Sequence, residues 1–260
     1  MPAAIRSLSR GDQLGADGCR YLLLPPAGGT VGTLRHVTAA APGADVWGAE
    51  YPGRGDRLDT PPPGSLDRLA EHLTGELLLR GTAWVRRTVL VGFSMGAFVA
   101  VEVAQRLRTR CGPLPAAVVV IGAPAPQRRI RGRYRHLGED SLPEVLTGEG
   151  FVPGLGNRAS FEVWAYAVDL LRRDVALTAA YRGPAGTPVR CPLAALCGQD
   201  DPVVTEDATE AWREWTTGAF LAATVPGGHL GLLAPGRGAE FWTWMRRVER
   251  DVVAAGARDA

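Results

Sequence analysis

Six short apolar runs punctuate the chain: residues 21–25 (YLLLP), 44–52 (ADVWGAEYP), 88–93 (TVLVGF), 116–122 (AAVVVIG), 192–198 (PLAALCG) and 220–227 (FLAATVPG). They are too short for buried helices and lack the polar alternation of a strand with one wet face. Each therefore predicts a parallel strand covered on both sides. Segments with helical spacing fall between and after them, at residues 65–80, 96–110, 206–216 and 239–253. Strand and helix alternate, which predicts an α/β fold around one mostly parallel sheet. From about Ala125 to Pro188 the rhythm breaks into loop-rich sequence and then a long helical pattern at 161–182. This interval is expected to be an insertion, about 125–188, above the sheet's carboxyl edge, where ligands bind in such folds. The whole chain, 1–260, is expected to form a single domain with that insertion as a lid.

Composition adds mainly exclusions. The chain is 46% hydrophobic and 22% charged with a formal net charge of +2. That balance gives no whole-chain signature of nucleic-acid or membrane-surface binding. All 29 basic residues are Arg, which excludes a lysine nucleophile or Schiff base. The first twenty residues hold no apolar run that would make a signal peptide, and no segment approaches the roughly 20 apolar residues of a membrane span. The four cysteines, Cys19, Cys111, Cys191 and Cys197, form no C-x-x-C pair and no metal-ligand spacing. Reduced, buried thiols in a cytoplasmic protein without a bound metal are expected.

Chemistry enters at Gly92-Phe93-Ser94-Met95-Gly96, where the apolar run at 88–93 gives way to a helical pattern. Gly-x-Ser-x-Gly is a weak signal alone, but strand before and helix after make it specific. A turn this tight crowds the serine's neighbours, and glycines two before and two after remove the clashing side chains. Ser94 is then exposed at the sheet edge as a nucleophile, beside a helix N-terminus whose amides can bind an oxyanion. The competing reading is a plain N-cap serine.

A serine hydroxyl needs a general base. Of four histidines, His72 falls in an amphipathic helix, His136 in an Arg-rich loop and His36 in the first turns after a glycine loop. Only His229, in VPGGHLGLL, follows a strand directly, in a flexible glycine turn near the C-terminus. The acid belongs at a strand end between Ser94 and His229, and CGQDDPVV offers Asp200 and Asp201. Asp201, where the turn runs into Pro202, is favoured, leaving Asp200 to bond the loop backbone. LPPAGGT is expected to supply a second oxyanion donor, against the alternative of a plain Pro-Gly turn: Pro26 has no N–H, so Ala27 is the first amide available, to act with that of Met95.

Taken in order, LPPAGGT, EYPGRGDR, GFSMGAFVAVEVA, CGQDDPVV and PGGHLGLL resemble the type II (stand-alone editing) thioesterases of polyketide and nonribosomal peptide assembly lines. The resemblance runs from about Tyr21 to Leu233, and LRRDVALTAAYR is similar to the family's lid-closing helix. It implies an α/β-hydrolase fold and hydrolysis of acyl groups from the phosphopantetheine arm of acyl or peptidyl carrier proteins. No cofactor is implied beyond the arm that the substrate carries. The family's acid lies three residues past the strand-end glycine, which is Asp201 here. In one departure, Pro26 stands where the family often has His.

Carrier proteins are typically acidic, so RRIRGRYRH, with Arg128, Arg129, Arg131, Arg133 and Arg135, is a candidate docking surface against the alternative of a solvated loop. Charge reversal at Arg131 and Arg133 is expected to raise KM for carrier-bound acyl groups only. Phe151, Val152, Leu155, Trp164, Leu170 and Leu171 are candidates for a lid lining or for ordinary core. The chain's start at Met1 and end at Ala260 favour hydrolysis over a macrocyclising terminal domain, and a monomer is expected. The rival readings are a carboxylesterase or lipase acting on oxygen esters, and a non-catalytic carrier-binding module.

Overall fold

The computed structural model describes residues 3–9, 18–41, 43–128, 161–183 and 188–256. Its seven-stranded sheet runs in the order β1-β3-β2-β4-β5-β6-β7. The strands are β1 (Ile5–Ser7), β2 (Arg20–Leu24), β3 (Asp45–Ala49), β4 (Thr88–Phe93), β5 (Ala117–Ile121), β6 (Leu193–Gly198) and β7 (Phe220–Val225). All neighbours are parallel except β1, which pairs antiparallel with β3. Six of the seven coincide with the six apolar runs. Every residue of β4, β5 and β6 is buried, as parallel strands covered on both faces require.

The helices are α1 (Arg35–Ala39), α2 (Leu66–Leu79), α3 (Thr82–Arg86), α4 (Met95–Cys111), α5 (Phe161–Ala180), α6 (Glu206–Glu210) and α7 (Gly238–Val248), with a last short turn at Ala254–Gly256. The period-two alternation of the strands assigns them to layers. Tyr21 is in register with Val89, and Phe93 shares their face. Tyr21 meets Trp242 edge-on at 5.0 Å and Phe93 lies 5.9 Å from Phe241, so α7 covers that side. Gly92 faces the opposite way, where a Cβ would overlap the Gly96 carbonyl, so α4 lies on the other side with α2 packed against it. α2 starts at Ser65, whose hydroxyl accepts from the Arg68 amide, and its stripe of Leu66, Leu69, Ala70, Leu73 and Leu77 is buried.

Three expectations change. β1 is an unexpected edge strand, because three residues are too few to show a period. The helix expected at 206–216 is α6 followed by a 3-10 turn at Ala211–Trp215. The one expected at 239–253 ends at Val248 and continues as a π turn through Val253. Of the interval 125–188, α5 is described, whereas residues 129–160 and 184–187 lie outside the described residues. Among the described residues no helix is long and apolar enough to cross a membrane.

Candidate active site

The turn from β4 into α4 places Ser94 at the N-cap position with φ 51° and ψ −112°. Among the described residues it is the one non-glycine with positive φ. Such backbone costs on the order of 1–3 kcal/mol and persists only where surrounding structure holds it. Here the Ser94 amide donates to Ile121 O at 2.7 Å, and its carbonyl accepts from Ala97 N at 3.0 Å. At Gly96 a Cβ would overlap the Leu24 carbonyl and stand 2.7 Å from Pro25 O, so α4 seats only because that side chain is absent. The Ser94 hydroxyl makes no N-capping bond.

That hydroxyl lies instead 3.0 Å from His229 Nε2, and His229 Nδ1 lies 2.9 Å from Asp201 Oδ2. A carboxylate only accepts, so Nδ1 carries the proton and the neutral ring's Nε2 accepts from Ser94. The His229 and Asp201 side chains are 7% and 0% exposed, which shields the relay from competing water. Asp201 Oδ1 accepts from Val203 N at 2.7 Å and Val204 N at 3.0 Å, fixing the carboxylate's orientation. One residue thus fills both roles that the sequence reading divided. Asp200 is exposed, and only its amide reaches the loop, donating to Gly227 O at 3.0 Å. The glycine turn before His229 is not slack. A Cβ on Gly198 would overlap the Gly227 and Gly228 carbonyls, and one on Gly122 would stand 2.8 Å from His229 O. These glycines serve close approach.

The first amide of α4, Met95 N, has no intrahelical partner by position. Ala27 N, in the loop after β2, likewise donates to no acceptor among the described residues. Both residues are buried, and Leu24 and Pro25 lie against Gly96, so the two turns adjoin. Met95 N, next to Ser94 in the chain, and Ala27 N, in the adjoining turn, are thus two amides without acceptors among the described residues, the type of donor that can receive a tetrahedral oxyanion.

The Thioesterase domain family model matches residues 21–241, which include every residue of this arrangement. The chain belongs to the thioesterase domain family. A "Probable cadicidin biosynthesis thioesterase" from Streptomyces griseus is 35% identical over 229 residues, 87% of this chain and 62% of that protein's length. The type II thioesterase BorB from the borrelidin biosynthetic cluster superposes with a TM-score of 0.77 at 33% identity, covering 95% of this chain and 96% of its own. YbtT, a type II thioesterase from the yersiniabactin pathway solved as a serine-to-alanine mutant, gives 0.81 at 25% identity, covering 98% and 100%. The α/β-hydrolase fold expected from the sequence is the fold of these structures.

Against the loop after β2 the structure adds a buried ionic cluster whose parts had no assigned role in the sequence reading. Arg54, from EYPGRGDR, pairs through both terminal nitrogens with Asp174 of α5: Nη1 to Oδ2 at 2.6 Å and Nη2 to Oδ1 at 2.8 Å. Their side chains are 1% and 2% exposed. Asp174 Oδ2 also accepts from Gly28 N at 2.8 Å, and Arg54 Nη1 donates to Gly29 O at 3.0 Å. Tyr51 OH donates to Pro25 O at 3.1 Å, and burial pushes its phenol well above its ordinary pKa, keeping it a donor. No local signal in the Gly- and charge-rich segment EYPGRGDR marks Arg54 as buried.

Arg128 is exposed and lies 3.6 Å from exposed Asp207. Trp164 is half-buried and packs on the core, while Leu170 and Leu171 are buried. Arg129, Arg131, Arg133, Arg135, His136, Phe151, Val152 and Leu155 lie outside the described residues. His72 Nε2 lies 2.9 Å from Arg57 Nη2 and 3.3 Å from Glu76 Oε1.

Proposed function

We propose that this chain is a type II thioesterase, a serine hydrolase that removes acyl groups from the phosphopantetheine arm of carrier proteins in polyketide or nonribosomal peptide assembly. The observation that carries the reading is the hydrogen-bonded series Ser94–His229–Asp201 in a chain with a thioesterase-family match. In the first half-reaction Ser94 Oγ bonds to the thioester carbonyl carbon while its proton passes to His229 Nε2. Asp201 holds the ring and stabilises the imidazolium. The carbonyl electron pair moves to oxygen, where the Met95 and Ala27 amides receive it. Each such donor is worth on the order of 3–4 kcal/mol in the transition state. The C–S bond then breaks and the pantetheine sulfur takes the proton from His229. Water repeats the sequence on the acyl-serine, and the free acid leaves.

None of these steps calls for a metal or resident cofactor. In this reading Arg128, Arg131 and Arg133 meet the acidic carrier, Trp164 lines the acyl channel, and the insertion at about 125–188 covers the site of a single-domain cytoplasmic monomer. The test is to incubate an acylated carrier protein with the wild type and with Ser94→Ala and to follow the carrier's mass. Loss of the acyl mass with wild type alone is expected, with a lower kcat/KM for the oxygen ester of the same acid. An acyl mass unchanged by both proteins would remove the thioesterase reading.

A further inference from the structure

We propose that Arg54 and Asp174 are positioning residues for the oxyanion site: together they hold the peptide planes around Ala27 so that its amide faces the reacting carbonyl, and they tie that alignment to the seat of helix α5. The inference rests on the thioesterase reading above and names the residues that set its oxyanion donor.

The loop after β2 is pinned at nearly every peptide. Tyr51 OH holds the Pro25 carbonyl at 3.1 Å. The Pro26 carbonyl accepts from Gly29 N at 3.0 Å. In a trans peptide the Ala27 N–H points opposite to that carbonyl, so this bond fixes the donor's direction. The next N–H, of Gly28, ends on Asp174 Oδ2, and the Gly29 carbonyl accepts from Arg54 Nη1. Two of these four anchors therefore come from one ion pair. Gly28 has φ 70°, and a Cβ there would stand 3.1 Å from the Leu171 Cβ, so α5 lies directly on the loop.

Holding α5 does not by itself require charge. Buried ion pairs are commonly replaceable by apolar residues of similar volume without loss of stability. An apolar pair, however, can neither accept the Gly28 N–H nor donate to the Gly29 carbonyl. Those are the two functions that the pair performs beside its mutual attraction. Because Asp174 sits on α5, a shift of that helix carries the Gly28 amide with it and turns the neighbouring Ala27 peptide.

Removing one partner alone, as in Asp174→Ala, leaves a buried charge and is a poor test if the variant unfolds. The double variant Arg54→Met/Asp174→Leu leaves neither a large void nor a lone charge, whereas Asp174→Asn leaves Arg54 without its carboxylate and keeps a side-chain oxygen that can still accept from Gly28 N. Two probes apply: an acyl-N-acetylcysteamine thioester as substrate, and the matching trifluoromethyl ketone. The ketone adds Ser94 Oγ to its carbonyl and places an oxyanion at the same amides. Its Ki reads the oxyanion site independently of the fraction of folded enzyme. Displacement of a positioned group by about 1 Å costs on the order of 100-fold. We expect the double variant to lose about 10- to 100-fold in kcat, with Ki rising by a similar factor and KM changing less than about threefold, and Asp174→Asn to lose less in both kcat and Ki. A folded double variant with Ki and kcat within about twofold of wild type would overturn the proposal. So would a lower kcat at unchanged Ki, which marks lost protein and not lost alignment. A wild type that neither hydrolyses the thioester nor binds the ketone would remove the hydrolase reading and this proposal together.

Discussion

At Asp200 and Asp201 two adjacent carboxylates differ in everything that matters to an imidazole. The Asp201 side chain is buried, accepts two amides on one oxygen and faces His229 with the other. Asp200 is exposed to water. If Asp201 holds the tautomer, Asp201→Asn lowers kcat by about three to four orders of magnitude, because an amide in its place favours the wrong ring nitrogen. Asp200→Asn stays within about twofold, as exposed substitutions usually do. Steady-state kinetics on one thioester checks both, and comparable losses would contradict the assignment. The adjacency explains why the sequence alone divided the roles. Either residue ends the strand, and only the turn geometry shows that one side chain serves the backbone and the imidazole together.

At the scale of elements, the glycines separate those that permit packing from those that do not. Gly96 stands where a Cβ would overlap the Leu24 carbonyl of β2, whereas Gly75 in α2 has nothing within 4 Å of a Cβ. Gly96→Ala is expected to lower unfolding free energy by about 1–3 kcal/mol and to displace the α4 N-terminus. Gly75→Ala is expected to raise it by about 0.5–1 kcal/mol through helix propensity. Urea unfolding of the two variants measures the contrast, and equal signs would contradict the packing account. Elements with long, continuous patterns were legible in sequence: the six apolar runs, α2, α4 and α5 all stand where their periodicity predicts. Elements built from a few residues, β1, α1 and α3, carry no period to detect. The Arg54–Asp174 contact spans 120 residues and was invisible for another reason. Neither residue's local pattern says that its charge is buried, and only the docking of α5 on the loop after β2 does.

At the scale of the whole molecule, two thiols, Cys191 and Cys19, report burial. Cys191 is fully enclosed, and burial pushes its thiol up to about 12. Burial, aided by Glu249, raises Cys19 to about 11. In the unfolded chain a thiol titrates near about 8.5. Above that pH the unfolded state sheds protons that the folded state keeps, so stability falls as pH rises. The slope reaches about 1.4 kcal/mol per pH unit for each thiol between pH 9 and 10. Cys191→Ala is expected to be less stable at pH 8 but to lose one thiol's share of that slope. Urea titrations at pH 8, 9 and 10 read it, and identical slopes would contradict the burial argument.

The account as a whole depends on Ser94 becoming covalently acylated. The most direct test is a rapid acid quench of the protein during turnover of an acyl thioester, followed by intact mass and peptide mapping. An acyl-mass increment on the peptide containing Ser94, absent in Ser94→Ala, is the predicted result. Turnover without any adduct, or an adduct on another residue, would contradict it.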